Sequence, residues 1–325
     1  MSNKLFWGPN IRWQIVDDKL QIEKFTFKGE YFSLFPQFYW AASQGASRER
    51  LCELFAEFDQ LKLNRFIGKL VELRVLLSEV QTIDELFWGQ ERLFQPEQVL
   101  EEGYFLSAEN VKNYVDKCLV RTVVEDSSGD ILIGKPEELS SIFNNRRSER
   151  DFDKNRQIKF SELSELLNVI AQYSRNGEKL YCYPSAGGVY PVDCYLHFKE
   201  NTVESVREGI YYYDTNGQRL KYVSSGKAID SSVHYFINKD IFSSSAFSIY
   251  LFYNAEVSMP KYGARGYYYG LLDAGIMLGY LSIKCEEQNL GSCCIGSMDF
   301  DSIASEFKLN CFQKYLHTIE IGAKK

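Results

Sequence analysis

Apolar positions change their period several times along the chain, and each change predicts an element. Ile11-Arg12-Trp13-Gln14-Ile15-Val16 and Leu20-Gln21-Ile22 read as short β segments. Leu34, Phe38, Ala41 and Ala42 follow at helical spacing until Gly45 interrupts them. Ser47 is then placed to cap a second helix through Leu51, Leu54, Phe55 and Phe58, and Phe66, Ile67, Leu70, Leu73 and Leu77 predict a third.

Helix, glycine turn, helix and helix within residues 1–80 resemble a small winged helix-turn-helix. DNA binding is the obvious reading of such a module. Its third helix, however, offers only Arg65, Lys69 and Arg74 beside Glu72, which is no basic stripe. Docking of a peptide or a protein partner suits residues 1–80 better. Residues 81–135 carry a mixed signal with the polar run Glu125-Asp126-Ser127-Ser128-Gly129-Asp130, and read as a connecting region with a domain boundary near 130. No internal repeat is visible.

Residues 136–325 alternate helices and strands. Pro136 stands where a helix can start, since its missing N–H costs nothing in the first turn. Leu163, Leu166, Leu167 and Ile170 follow Ser161 at helical spacing, and Val192, Cys194, Leu196 and Phe198 alternate as a half-buried strand. Gly209-Ile210-Tyr211-Tyr212-Tyr213 and Leu220-Lys221-Tyr222-Val223 flank Asn216-Gly217, a hairpin turn. Phe247 to Tyr253 predicts a buried strand, Gly266 to Leu290 a long helix closed by Gly291, and Tyr315 to Ile321 a final strand. The fold class expected is α+β, a central sheet flanked by helices.

Composition narrows the function. With 37 Lys+Arg against 44 Asp+Glu the net charge is −7, which argues against a general binder of phosphate backbones. The longest apolar stretch, Tyr267 to Ile283, is broken by Asp273, and Met1-Ser2-Asn3-Lys4-Leu5 does not resemble a secretory signal, so no membrane span and a cytoplasmic location are expected. The 8 cysteines form no C-x-x-C pair and only 3 histidines are present, which disfavours zinc and a histidine-centred nucleophile. Aromatics, at 15%, mostly fill cores, but such a surplus also suits a protein that encloses a planar ligand.

Four segments carry candidate chemistry. Arg146-Arg147-Ser148-Glu149-Arg150 gathers forked donors suited to phosphate oxygens, or simply meets a helix dipole. Pro184-Ser185-Ala186-Gly187-Gly188-Val189-Tyr190-Pro191 brackets small residues whose backbone can approach a ligand, or is only a tight loop. Lys261-Tyr262 ahead of Gly263 pairs two proton-transfer groups on a loop, or is surface and half-buried filler. Gly291-Ser292-Cys293-Cys294-Ile295-Gly296 reads as a turn of small residues packed against a cofactor edge rather than as a redox dithiol.

Together with Gly209-Ile210-Tyr211-Tyr212-Tyr213-Asp214, and in this order, the four segments resemble the FMN-dependent azoline dehydrogenases of the streptolysin/microcin (SagB-type) class, a branch of the nitroreductase superfamily. The match covers roughly residues 136–325. It implies a nitroreductase-like fold in an intertwined homodimer with FMN at the subunit interface. By carry-over, Arg146, Arg147, Ser148 and Arg150 hold the phosphate and ribityl chain, and Pro184, Ser185, Ala186 and Gly187 line the ring. Gly291, Ser292 and Gly296 approach the flavin through their backbone, and Lys261 and Tyr262 match the catalytic pair. Asp273-Ala274-Gly275-Ile276 departs from the Glu-Ala-Gly-His of many relatives, and Tyr268 replaces a commonly basic residue.

The activity implied is oxidation of thiazolines or oxazolines in a ribosomally made peptide to thiazoles or oxazoles, beside a cyclodehydratase, with residues 1–80 gripping a leader segment. Oxygen is the implied final acceptor. Two other readings share the residues: an NAD(P)H-dependent nitroreductase-type flavin reductase, and a non-catalytic scaffold that presents a leader peptide.

Overall fold

The computed structural model describes residues 4–28, 31–87, 103–120, 131, 133 and 140–325. The predicted start at Pro136 and the boundary near 130 lie outside the described residues. The chain divides into two compact units, Met1–Leu86 with Ser141–Lys325, and Phe87–Ser140. Among the described residues no helix is long and apolar enough to cross a membrane.

In the N-terminal part, β1 (Lys4–Trp7), β2 (Trp13–Val16), β3 (Lys19–Ile22), β4 (Phe25–Phe27), α1 (Tyr31–Ser43), β5 (Ala46–Ser47), α2 (Arg48–Leu54), α3 (Gln60–Glu72), β6 (Leu76–Leu77) and α4 (Ile83–Phe87) follow in order. The strands form two three-stranded sheets, β5-β1-β6 and β2-β3-β4. Phe35, Phe38, Leu51, Phe66, Ile67 and Leu70 fill the core between the helices, as their spacing predicts. Gly45 (φ +78) makes the break after α1, and the Ser47 hydroxyl caps α2 by accepting from Arg50 N–H at 3.1 Å. The third helix ends earlier than its apolar spacing suggests. Arg74 takes a left-handed φ of 57°, so Leu76 and Leu77 turn away to pair with Trp7 and Phe6.

The smaller unit contains α5 (Ala108–Leu119), capped by Ser107, with Phe105 edge-on to Tyr114 at 5.1 Å.

The remainder comprises α6 (Ser141–Asn145), α7 (Phe160–Asn168), β7 (Gln172–Arg175), β8 (Glu178–Tyr181), β9 (Val192–Phe198), β10 (Gly209–Asp214), β11 (Arg219–Ser224), α8 (Asn238–Ser244), β12 (Phe247–Asn254), α9 (Ala255–Tyr262), α10 (Arg265–Glu287), β13 (Leu290–Ile295) and β14 (Gln313–Ala323). Six strands form one antiparallel sheet in the order β11-β10-β9-β12-β14-β13. Its central strands are buried on both faces, because α7 and α10 cover one side and Phe300, Ile303 and Phe307 the other. Val192–Phe198 is therefore more deeply buried than its alternation suggests.

The helix through Leu163 begins at Phe160 behind Lys159. Two local expectations change. The long helix stops at Glu287, where Asn289 (φ 55) takes the left-handed position expected of Gly291. Gly291 instead lies inside β13, so Gly291–Ile295 is a strand and not a turn.

Candidate active site

Most of the expected site residues fall into two groups, one beside β13 and one around the loop Pro184–Pro191. The first is built on β13. Ser148 bridges in parallel to Ser292, and Glu149 N–H donates to the Ser292 carbonyl at 2.9 Å, so the Arg146–Arg150 segment continues the sheet beyond its edge. Glycine at 291 makes this approach possible: a Cβ there would stand 2.7 Å from Glu149 Cβ. Arg147 donates to the Asn144 and Arg146 carbonyls at 2.7 and 2.8 Å, and among the described residues Arg146, Arg147 and Arg150 face no carboxylate. The two lysines that follow β14 stand nearby but are engaged, Lys324 with Glu286 at 2.5 Å and Lys325 with Asp151.

Cys293 and Cys294 are free thiols. Burial raises both, Cys294 to about 11, while Arg150 and Arg146 respectively pull the other way. Thiols held in the protonated form are poor nucleophiles, in keeping with a packing role.

The second group surrounds the loop Pro184–Pro191. Lys261 and Tyr262 sit on the last turn of α9, not on a loop. Asn254 caps this helix by accepting from Glu256 N–H at 3.2 Å, and Gly263 (φ +57) ends it. Lys261 Nζ donates to the Gly187 carbonyl at 3.3 Å. A Cβ on Gly187 would collide with the Tyr262 hydroxyl and lie 2.5 Å from Lys261 Nζ, and the residue's φ of +61° also calls for glycine. Tyr262 is half-buried, edge-on to Tyr269 at 5.1 Å. Gly188 faces open space.

Ser185 is tied inward. Its hydroxyl donates to Asp273 Oδ2 at 2.5 Å and accepts from Tyr190 N–H at 3.0 Å. Burial raises the Asp273 carboxyl, offset in part by Ser185 and by the Ala186 N–H. The sequence marks Asp273 as a break in an apolar stretch and a departure from a motif, not as a site residue; its signal was an acidic residue on an otherwise apolar helix face.

Asp273 lies 14 residues before the end of α10. Gly296, just past β13, instead lines a cavity of about 710 Å³ between residues 74–85 and 296–317. Among the described residues no cluster of His, Cys, Asp and Glu could hold a metal ion.

The chain is similar to a chain of the Escherichia coli microcin synthetase McbBCD complex, solved with truncated pro-MccB17 bound. Identity is 19% over 85% of this chain and 97% of that one, with a TM-score of 0.53. A protein from Ralstonia eutropha JMP134, described as a nitroreductase, is 19% identical over 59% of this chain and 88% of its own, with a TM-score of 0.45. No curated protein matches at the level of sequence. The nitroreductase family model matches residues 144–323, more than half of the 325 residues, and this chain belongs to that family.

Proposed function

We propose that this oxidoreductase is an FMN-dependent azoline dehydrogenase that converts thiazolines or oxazolines of a ribosomally made peptide into thiazoles or oxazoles. The observation that carries the reading is the Lys261–Tyr262 pair held against the Gly187 carbonyl, two proton-transfer groups converging on a glycine-lined loop.

The residues present fit FMN. Arg146, Arg147 and Arg150 have no carboxylate partner among the described residues and offer charge-assisted donors for a phosphate, with Ser148 beside them. Gly188 faces open space, where a planar ring needs room. Bound there, FMN supplies an electron-poor ring that accepts hydride.

Aromatising an azoline removes one hydride and one proton from adjacent ring atoms. Lys261 or Tyr262 takes the proton. The Gly187 carbonyl holds the lysine, and the Ser185–Asp273 bond holds the loop that carries that carbonyl.

The reading carries a homodimer with FMN at the subunit interface, served by the arginine group and the Pro184–Gly187 loop. The likeness to a synthetase complex solved with a peptide supports peptide docking by residues 1–80 and a cyclodehydratase partner.

The test is direct: FMN-loaded protein in air, given a peptide with one thiazoline, removes two mass units from it. Rapid bleaching of the flavin by NADPH with no change in peptide mass would return the chain to a nitroreductase-type flavin reductase. A chain that takes up no FMN would be a scaffold.

A further inference from the structure

Tyr262 and Lys261 end a short helix with a weak last turn. Pro260 has no N–H to give to the preceding turn, so the placement of the two residues after it depends on what anchors α9 from outside. One anchor is a buried hydrogen bond between Tyr253 Oη and Ser258 Oγ at 2.9 Å. The other lies at the start of the helix and converges on one carboxylate.

Asp193 is the second residue of β9, just beyond the loop that ends at Pro191. Its Oδ2 accepts from Asn254 Nδ2 at 3.0 Å and from Gln313 Nε2 at 2.7 Å. Asn254 is the cap of α9. Its Nδ2 goes to Asp193, its Oδ1 accepts from Glu256 N–H at 3.2 Å, and its backbone N–H donates to the Pro191 carbonyl at 2.8 Å. One residue thus joins the end of the Gly187 loop, strand β9 and the first turn of α9. Gln313 and Asn254 are direct partners in the β12–β14 register, so the carboxylate closes a bridge across three adjacent strands.

We propose that Asp193 is a positioning residue for the Lys261–Tyr262 pair, acting through Asn254. The inference rests on the proposed function only in assigning proton removal to that pair. Both donors to Asp193 are neutral amides, so its work is acceptance of two hydrogen bonds and not charge. An amide oxygen at 193 can accept both. A methyl group accepts neither, leaves two amides unpaired and frees the helix cap.

The experiment compares Asp193→Ala and Asp193→Asn in the FMN-loaded full chain, on a synthetic peptide carrying one thiazoline. Asp193→Ala lowers kcat roughly 10- to 100-fold, the scale of a misplaced catalytic group, with KM and FMN affinity little changed. It also moves the pH at which the kcat profile breaks, which a lower yield of folded protein does not do. Asp193→Asn restores both kcat and the break. If Asp193→Ala does not fold, Asn254→Ser keeps a cap oxygen but loses the donor to Asp193, and reproduces the same loss. An unchanged kcat and pH break in Asp193→Ala or Asn254→Ser, or an equal loss in Asp193→Asn, overturns the positioning role. Retained oxidation in both Lys261→Ala and Tyr262→Phe would overturn the reading of the pair instead.

Discussion

The hydroxyl of Ser185 donates to Asp273 across 2.5 Å, joining residues 88 positions apart in sequence. The serine that the resemblance assigns to the flavin ring thus has its proton committed to α10. What the loop presents outward there is backbone, above all the Gly187 carbonyl.

This bond has a pH signature. Burial raises the Asp273 carboxyl, so the folded state holds its proton more tightly than the unfolded chain. The associated stability is complete at pH values below the ordinary aspartate range, near 4, and is lost as pH rises through the raised value. Asp273→Asn, which carries no such charge, should melt progressively higher relative to wild type as pH rises across that window. Thermal melts between about pH 3 and 8 check it; a constant gap would mean that Asp273 does not titrate with folding.

Lys261→Ala and Tyr262→Phe should each keep FMN and lose most turnover, because the phosphate is assigned to the arginine group and not to this pair. Flavin content by absorbance and peptide mass after reaction separate the two effects. Near-normal azoline oxidation in either variant removes that residue from proton transfer.

Arg147→Ala should weaken FMN retention by about 1.5–3 kcal/mol, the worth of a hydrogen bond to a charged group, or roughly 10- to 150-fold in affinity. Equilibrium dialysis of the flavin reads this out. Unchanged affinity would leave the arginines as cations at the end of α6.

Glu79 stands between Arg74 (2.5 Å) and Lys314 (2.9 Å), with Lys314 only 10% exposed. Burial alone would raise its carboxyl, but Lys314 and Arg74 outweigh this and hold it below the ordinary glutamate range. The stability it contributes is present above that range and lost as pH falls through the depressed value. Glu79→Gln should therefore cost about 1–2 kcal/mol in urea unfolding at neutral pH, with solvent screening limiting the loss, and progressively less in acid.

A leader segment added in trans should inhibit oxidation of a full precursor but not of a short azoline peptide, if residues 1–80 dock the leader. Initial rates with each substrate make the comparison. Equal inhibition of both would place the leader at the active site itself.

Much of this protein was legible from local pattern. The helical spacing of Leu163, Leu166 and Leu167, the Asn216-Gly217 hairpin and the run Phe247–Tyr253 each report which face of one segment avoids water, and neighbours in sequence suffice for that. The four site segments were visible for a related reason: glycines, prolines and arginines mark backbone and charge requirements that act within a few residues. Where those segments end was less visible, because Arg74 and Asn289 adopt left-handed turns that glycine usually signals.

Tertiary structure alone decided which groups meet. Lys314 reaches Glu79, outside the six-stranded sheet, over 235 residues, and Gln313 reaches Asp193 over 120 through the register of that sheet. No periodicity encodes such pairs, since register is selected by the packing of the whole sheet at once. The same packing sets the arginine segment against β13 and brings Lys261 to Gly187. Sequence order shows these segments, but their meetings exist only once helices and sheet are packed together.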